Sequence, residues 1–218
     1  IALYGGTFNP PHFGHVRLLE AFCREIAFDK VLIVPDKRPV HKICEDLALD
    51  SERLDMCRLA FPDPRYEVSD MEITRPSDSY TVYTVRALDA QYPQAEIFLL
   101  MGSDMFLSFH KWYHYRELLE RCTLCVAARQ NADDLHALRS YAFSHLRIYV
   151  QDHIAPHLRF SDIEPLEISS SALREAIRSG ADTQAYLPAP IHTSAPKRLG
   201  MISYAGVCLQ KKISTTEP

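Results

Sequence analysis

Apolar residues follow two alternating patterns along this chain: short continuous runs, and segments with an apolar residue at every third or fourth position. Continuous runs are typical of strands buried in a parallel sheet, and they occupy residues 2–4, 31–34, 97–101 and 123–128. Two weaker runs predict further strands at residues 66–73 and 147–150. The helical spacing predicts helices at residues 16–26, 51–61, 81–92, 113–121, 133–143 and 170–177.

The order of these elements predicts the fold class. Because strands and helices alternate, we expect an α/β protein with a Rossmann-like, doubly wound parallel sheet and helices on both faces. Ser51 is a candidate N-cap for the second helix. Either Ser169 or Ser170 is a candidate N-cap for the last helix, which Gly180 should end.

Length and patterning bound the domain organisation. The chain has 218 residues, 47% of them hydrophobic, which suits one large domain with a core of ordinary size. Periodic patterning stops near residue 190, where three prolines lie close together. We therefore predict a single domain over residues 1–190, and an atypical, loosely ordered tail over residues 191–218.

Charge and hydropathy argue against several classes of protein. The net charge of −4 and the pI near 6.2 do not favour a general nucleic-acid or membrane-surface binder, so an anionic substrate must be held by a local cluster. No run approaches the roughly 18 apolar residues of a membrane span, and no signal peptide is visible. We expect a cytoplasmic protein, and, because the sequence starts at Ile1 and not at methionine, a few preceding residues.

The six cysteines do not suggest a metal site. Only Cys122 and Cys125 are close in sequence, and they lie in a predicted strand, which turns residues three apart to opposite faces. We expect buried free thiols in a reducing cytosol, and no bound structural metal.

Residues 5–15, which read GGTFNPPHFGH, are the most informative segment. Glycines after a strand let a phosphate approach the backbone, and a helix start offers unpaired N–H groups and partial positive charge. One helical turn places His12 and His15 on the same face, so both rings can reach one phosphoryl group without a metal. The alternatives are a glycine turn with two solvated histidines, or a helix cap at His15.

Two more motifs follow predicted strands. The basic stretch of residues 38–42 comes after the second strand, and Gly102 and Asp104 come directly after the strand at residues 97–101. Ligands of doubly wound sheets bind at the carboxyl ends of the strands. These two motifs and the segment at residues 5–15 all follow predicted strands, so we expect all three to lie there. Lys42 is a mobile point charge suited to a polyphosphate, although a solvated basic loop explains it equally well.

These motifs resemble those of the HxGH nucleotidyltransferases, and GGTFNPPHFGH is most similar to the bacterial nicotinate-nucleotide adenylyltransferases. Further stretches of the same kind follow in the order typical of that family, over residues 1 to about 190. They are Ser79-Tyr80-Thr81, Gly102-Ser103-Asp104, Lys111-Trp112-Tyr113 and Ile168-Ser169-Ser170-Ser171-Ala172-Leu173-Arg174.

The resemblance implies adenylyl transfer from ATP to nicotinate mononucleotide, a step of NAD biosynthesis, with Mg²⁺ carried on ATP. It implies catalytic roles for His12, His15, Lys42 and Arg174. It implies ATP contacts for Gly5, Gly6, Thr7, Phe8, Gly102, Asp104, Ser169 and Ser170. The mononucleotide would be held by Tyr80, Thr81, Trp112, Tyr113 and Arg129, with the start of the helix at Thr81 gripping the carboxylate and Trp112 stacking on the pyridine ring. A plain helix cap at Thr81 and a core position for Trp112 are the alternatives.

Two features depart from the family pattern. After the strand at residues 123–128 the chain keeps Arg129 but lacks the usual Pro-Gly turn, and beyond Pro188 it lacks a short terminal helix. A change of reading frame near Ile191 is one hypothesis for the tail. Other functions remain open: a nicotinamide mononucleotide adenylyltransferase, or a non-catalytic nucleotide-binding protein of the same fold. We expect no nucleic-acid or membrane partner, and a homo-oligomer is compatible with the sequence.

Overall fold

The computed structural model describes residues 1–38, 46–129, 135–151, 154–163 and 169–188. Their strands form one seven-stranded sheet in the order β3-β2-β1-β4-β5-β7-β6. The strand bounds are β1 Ala2–Gly6, β2 Val31–Pro35, β3 Tyr66–Val68, β4 Ile97–Gly102, β5 Cys122–Arg129, β6 Ile154–Ala155 and β7 Leu158–Ile163. Only β6 runs antiparallel to its neighbour, which confirms the predicted parallel α/β fold.

Helices connect the parallel strands. They are α1 Phe13–Glu25, α2 Asp50–Ala60, α3 Thr81–Gln91, α4 Ser103–Phe106, α5 Tyr115–Arg121, α6 Leu135–Tyr141 and α7 Ser170–Ser179. A 3₁₀ turn spans Phe109–Lys111 and a π-helical turn spans Ala142–Leu146. None of the described helices is long and apolar enough to cross a membrane.

The central strands bury both of their faces, as in β2 and β4, so two cores flank the sheet. Leu3, Leu99 and Leu124 pack into one core, whereas Tyr4, Leu100 and Cys125 pack into the other. Cys122 lies in the first core and Cys125 in the second, which confirms that these two thiols face opposite sides of the sheet. Burial raises the pKa of both thiols to about 12.

One predicted strand was wrong, and a second was predicted too long. Residues 147–150 form no strand, because Arg147 adopts a left-handed conformation (φ 62°) after the π-helical turn, and the apolar side chains that follow pack on the core from a loop. The position in the sheet belongs to Leu158–Ile163, in which apolar and polar residues alternate. The strand expected over residues 66–73 ends at Val68, and a turn in which Thr74 N–H donates to Asp70 O follows it.

Helix boundaries were confirmed at some ends and wrong at others. Ser169 is the N-cap of α7, and Gly180 ends that helix in the left-handed region (φ 74°). Ser51 is not a cap, because α2 begins at Asp50. The first helix begins at Phe13, three residues before the expected start, because the side chain of His12 caps it.

Candidate active site

A crevice opens in the middle of the sheet, between β1 and β4. Here the order of the strands reverses, because β2 and β3 are added on one side of β1, and β4 and β5 on the other. β1 pairs with β2 as far as Gly6 and Pro35, and β4 pairs with β5 as far as Gly102. The ladder between β1 and β4 stops after Leu3 and its partner. Beyond that point, the described residues of β1 and β4 are no longer paired with each other in the sheet. This divergence is the switch point at which doubly wound sheets bind ligands, and both predicted glycine motifs border it.

His12 and His15 form a reciprocal cap at the start of α1. The Nδ1 atom of His12 accepts the Gly14 N–H at 3.1 Å, and the Nδ1 atom of His15 accepts the His12 N–H at 3.2 Å. The two ring centroids are 3.9 Å apart. Since each Nδ1 accepts a hydrogen bond, each neutral ring carries its proton on Nε2. Each ring therefore presents an Nε2–H donor, a group from which a phosphoryl oxygen can accept a hydrogen bond.

The amides at the start of α1 are not available to a phosphate, contrary to the sequence-based expectation. Phe13 N–H donates to Tyr186 O at 2.9 Å, Gly14 N–H to the His12 ring, and His15 N–H to His12 O at 2.8 Å. The chain segment after α7 thus covers the helix start. The two imidazole rings, and not these three amides, are therefore the candidate anion-binding groups at this helix start.

Phe8 supports this pair of rings from inside the protein. Its side chain is 1% exposed, and its ring centroid lies 5.1 Å from that of His15. A Cβ atom on Gly6 would lie 3.1 Å from the Phe8 ring, and one on Gly14 would lie 2.9 Å from the His12 ring. The glycines therefore leave room for the protein's own rings. Any contact between Phe8 and ATP must come from its backbone.

The opposite side of the crevice carries Asp104. A Cβ atom on Gly102 would lie 2.7 Å from Oδ1 of Asp104, so this glycine is needed for the carboxylate to fold back over the end of β4. Burial, and secondarily the charge of Asp104, raise the pKa of Tyr4 on β1. Asp104 is exposed and within electrostatic reach of β1 across the crevice.

The start of α7 is joined to the histidine motif. Ser170 Oγ donates to Pro10 O at 2.9 Å, and Nη1 of Arg174 donates to Asn9 O at 2.8 Å. Ser169 Oγ accepts the Ala172 N–H at 3.1 Å. Both serine hydroxyls thus have partners within the protein, whereas Nε of Arg174 is buried without a hydrogen-bond partner.

The predicted mononucleotide residues Tyr80 and Tyr113 lie together. Their ring centroids are 4.7 Å apart, and Thr81 is the first residue of α3, next to Tyr80. Tyr113 is 44% exposed. Trp112 is half-buried and packs on Phe109 at 5.1 Å, so it belongs to the edge of the core. These residues form an aromatic wall beside the start of α3, which we call the base pocket because the sequence predicts that it holds the pyridine base.

Ion pairs hold together the helices that carry this wall. Arg86 of α3 donates to both carboxylate oxygens of Glu117 on α5, at 2.9 and 2.6 Å. Arg121 of α5 donates to Asp89 of α3 at 2.6 Å and to Glu117 at 3.0 Å. The guanidinium of Arg86 holds the pKa of Glu117 at about 2.

Sequence reasoning missed a fully buried arginine beneath the phosphate loop, residues 5–8. Arg53 is 0% exposed, and its Nη1 donates to Thr7 O at 2.9 Å and to Asp36 Oδ1 at 3.3 Å. Thr7 Oγ1 donates to the other oxygen of Asp36 at 2.9 Å. Asn9, 1% exposed, donates to Asp46 O at 2.7 Å. No motif points to Arg53, because it lies on a helix rich in charged residues.

Two predicted site residues are not placed. Lys42 lies outside the described residues, and so does the tail of residues 191–218. Arg129 ends β5, and its side chain lies outside the described part of the structure. Their proposed roles therefore remain predictions.

Comparisons with known proteins agree with this geometry. The cytidylyltransferase-like family model matches residues 3–176. A protein of Geobacter sulfurreducens named "Probable nicotinate-nucleotide adenylyltransferase" is 38% identical over 195 residues, which cover 85% of this chain and 90% of that protein. One of the same name from Geobacter metallireducens is 34% identical over 198 residues, covering 87% and 92%.

A solved structure shares the fold. The Plasmodium falciparum nicotinic acid mononucleotide adenylyltransferase complexed with NaAD superposes with a TM-score of 0.71 at 15% identity, covering 93% of this chain and 96% of that chain. Likeness at this level of identity concerns the fold alone. The family-model match and the Geobacter relatives show that the chain belongs to the cytidylyltransferase-like family and, within it, to the nicotinate-nucleotide adenylyltransferases.

Proposed function

We propose that the protein transfers the adenylyl group of ATP to nicotinate mononucleotide, giving nicotinate adenine dinucleotide and pyrophosphate in NAD biosynthesis. The observation that carries the proposal is the pair of rings at residues 12 and 15, 3.9 Å apart beside the switch-point crevice with both Nδ1 atoms occupied. Two fixed Nε2–H donors suit the α-phosphate of ATP, where negative charge develops as the acceptor phosphate attacks.

In this mechanism the protein acts by positioning and by charge stabilisation. The mononucleotide phosphate attacks the α-phosphorus in line, the bond from phosphorus to the bridging oxygen breaks, and pyrophosphate leaves with that oxygen. His15 and His12 donate to the α-phosphate, while Lys42 and Arg174 offset charge on the leaving pyrophosphate. Asp104 accepts from a ribose hydroxyl. No covalent enzyme intermediate forms.

The base pocket provides selectivity in this proposal. The Thr81 and Val82 N–H groups at the start of α3 and the Thr81 hydroxyl suit a carboxylate on the pyridine ring, whereas the Tyr83 N–H already donates to Tyr80 O at 3.0 Å. Tyr80 and Tyr113 supply aromatic faces next to it. A nicotinamide, which lacks the negative charge, gains less from the positive end of the helix.

Mg²⁺ should arrive on ATP. Within the part of the chain that the structure describes, no group of three or more histidine, cysteine, aspartate or glutamate residues is arranged to hold a metal ion. When bound, Mg²⁺ neutralises the leaving pyrophosphate. A cytoplasmic location and the absence of a nucleic-acid partner remain predictions.

The test is pyrophosphate release with ATP and Mg²⁺, comparing nicotinate with nicotinamide mononucleotide. A strong preference for nicotinate, weakened in Thr81→Val, supports both the reaction and the base pocket. Equal use of the two acceptors, or preference for nicotinamide, keeps the chemistry and overturns the pocket assignment. No release with either acceptor overturns the proposed function.

A further inference from the structure

Two charged residues of the described chain are almost completely buried, and the proposed mechanism uses neither. Arg53 is 0% exposed and Glu72 is 6% exposed. Removing a charge from water costs several kcal/mol unless hydrogen bonds and an opposite charge compensate it. The partners of each residue therefore show what the burial achieves.

The partners of Arg53 lie on two different loops. Besides Thr7 O and Asp36 Oδ1, the guanidinium donates from Nη2 to Lys37 O at 3.4 Å and to Asp50 Oδ1 at 2.6 Å. Asp36 N–H also donates to Gly6 O at 3.0 Å. Arg53 and Asp36 together fasten the phosphate loop to the first two residues after β2.

The partners of Glu72 fasten Lys37 to α3. Lys37 N–H donates to Ser79 Oγ at 2.9 Å, and the Ser79 hydroxyl is hydrogen-bonded to Glu72. From the other side Thr84 Oγ1, which accepts from Arg75 at 3.1 Å, donates to Oε1 of Glu72 at 2.5 Å. Both chains of hydrogen bonds end on Glu72. A carboxylate can end both chains because it accepts hydrogen bonds and donates none.

The pKa of Glu72 lies above its ordinary value. Burial raises its pKa, while the hydrogen bond from Thr84 and the charge of Arg75 oppose that increase. Lys37 adds a further tie, since its Nζ donates to Arg75 O at 3.0 Å. The network therefore has a carboxylate at each end, Asp36 and Glu72.

We infer that Asp36 and Lys37 form a rigid bridge that sets the distance between the phosphate loop and the base pocket, with Arg53, Ser79 and Glu72 as the positioning residues that hold it. The bridge begins at Thr7, and it ends at Ser79, the residue before Tyr80 and Thr81. This inference rests on the proposed function, because it concerns how the acceptor phosphate is brought to the α-phosphate of ATP. In-line attack needs the reacting atoms about 3–3.5 Å apart, and a misplacement of about 1 Å costs roughly 100-fold in rate.

A double-mutant cycle across the bridge tests the inference. Thr7→Val removes the donor to Asp36, and Ser79→Ala removes the acceptor of the Lys37 amide. Each change frees one end, so we expect each to lower kcat/KM for the acceptor about tenfold, and the double variant to lose no more than about threefold beyond the worse single variant. Losses that multiply to roughly 100-fold would mean independent effects and would overturn the bridge.

Matched controls separate positioning from folding. Thr74→Ala removes an exposed hydroxyl of the same loop, which donates to Asp70 O, and should leave kinetics and melting temperature unchanged. A merely structural role for Ser79 would lower the melting temperature and the active fraction but leave both KM values as in the wild type. Glu72→Gln keeps the shape and removes the charge, and we expect it to raise the acceptor KM more than the ATP KM.

Amide hydrogen exchange gives a result that does not depend on turnover. Thr7→Val should accelerate exchange at the Lys37 amide, which donates to Ser79 Oγ, and at the Tyr83 amide in the first turn of α3, which donates to Tyr80 O. Neither amide is hydrogen-bonded to Thr7. Unchanged exchange there contradicts the bridge even if the reaction is confirmed. If the wild type makes no dinucleotide but this exchange pattern appears, the proposed function fails and the bridge stands.

Discussion

Arg174 donates from Nη1 to the carbonyl oxygen of Asn9 at 2.8 Å, although the two residues are 165 positions apart in the sequence. Ser170 donates to the next carbonyl, that of Pro10. The serine-rich helix start and the histidine motif are therefore two parts of one site. A second guanidinium nitrogen, Nη2, donates to Ser171 Oγ at 3.3 Å, so the planar fork of Arg174 is held in one orientation.

Arg174→Lys should weaken ATP binding more than it weakens folding. Lysine keeps the charge but cannot make the forked contact, and a hydrogen bond to a charged group contributes about 1.5–3 kcal/mol, so the ATP KM should rise by roughly 10- to 100-fold. Steady-state kinetics at varied ATP measure this. Arg178→Lys on the same helix, where the arginine pairs with Asp46 at the surface, is the matched control and should match the wild type. An unchanged ATP KM in Arg174→Lys would remove Arg174 from the phosphate site.

His15→Ala should lower turnover far more than it affects mononucleotide binding. Removing one preorganised donor to a developing oxyanion typically costs about 10²–10³ in kcat. The same change removes the acceptor of the His12 N–H, a capping contact of about 1 kcal/mol, so a small drop in melting temperature should accompany it. Calorimetric titration with the mononucleotide supplies the binding constant. Retained turnover would refute the role given to this ring.

Gly14→Ala should separate activity from stability. A Cβ atom there would lie 2.9 Å from the His12 ring, so the ring has to move, whereas alanine favours the helix by up to about 1 kcal/mol. We expect kcat to fall at least about tenfold, because the donor at residue 12 loses its orientation, with little change in melting temperature. Kinetics and thermal melting of the same preparation show both.

Gly180→Ala is the natural counterpart of that variant. Gly180 has φ +74° and open space around its Cβ position, so alanine there introduces backbone strain and no clash. We expect a loss of roughly 1 kcal/mol in the free energy of unfolding and unchanged kcat. If both variants lost activity to the same extent, the special role of the contact between Gly14 and His12 would be wrong.

The pattern of apolar residues predicted burial better than it predicted strands. Val31–Pro35 and Ile97–Gly102 were found because both faces of these central strands are buried. The segment at residues 147–150 contains a buried residue, Val150, but it is a loop that packs on the core. The strand is Leu158–Ile163, whose mixed apolar and polar residues do not form a continuous apolar run. Continuous apolar residues indicate contact with a core, and only backbone pairing decides whether they join the sheet.

Site residues that belong to short sequence motifs could be predicted from the sequence. His12 and His15 lie together as expected, and Tyr80 and Tyr113 lie together because they come just before α3 and α5, which the Arg86–Glu117 ion pair joins. Arg53 was not predictable, because a single arginine on a polar helix is normally solvated, and its burial depends on Asp36, which is remote in sequence. The occupied amides of α1 were missed for a similar reason, since Tyr186 supplies one partner from the far end of the fold.

Glu117→Gln should remove part of the acid sensitivity of the fold. The two hydrogen bonds from Arg86 lower the pKa of Glu117 from its ordinary 4.5 to about 2. Because the folded pKa is depressed, the ionised carboxylate stabilises the folded protein above about pH 4.5, and this stabilisation is lost as the pH falls towards 2. Glu117→Gln should therefore melt at a lower temperature than the wild type at pH 7, with a difference that shrinks across this window.

Melting temperatures at half-unit steps of pH measure the effect, and Glu175→Gln, an exposed partner of Arg178, is the control. Since Glu117 joins α3 to α5, the variant should also raise the acceptor KM by loosening Tyr80 against Tyr113. A melting difference that did not vary with pH would show that Glu117 contributes through packing and not through its charge.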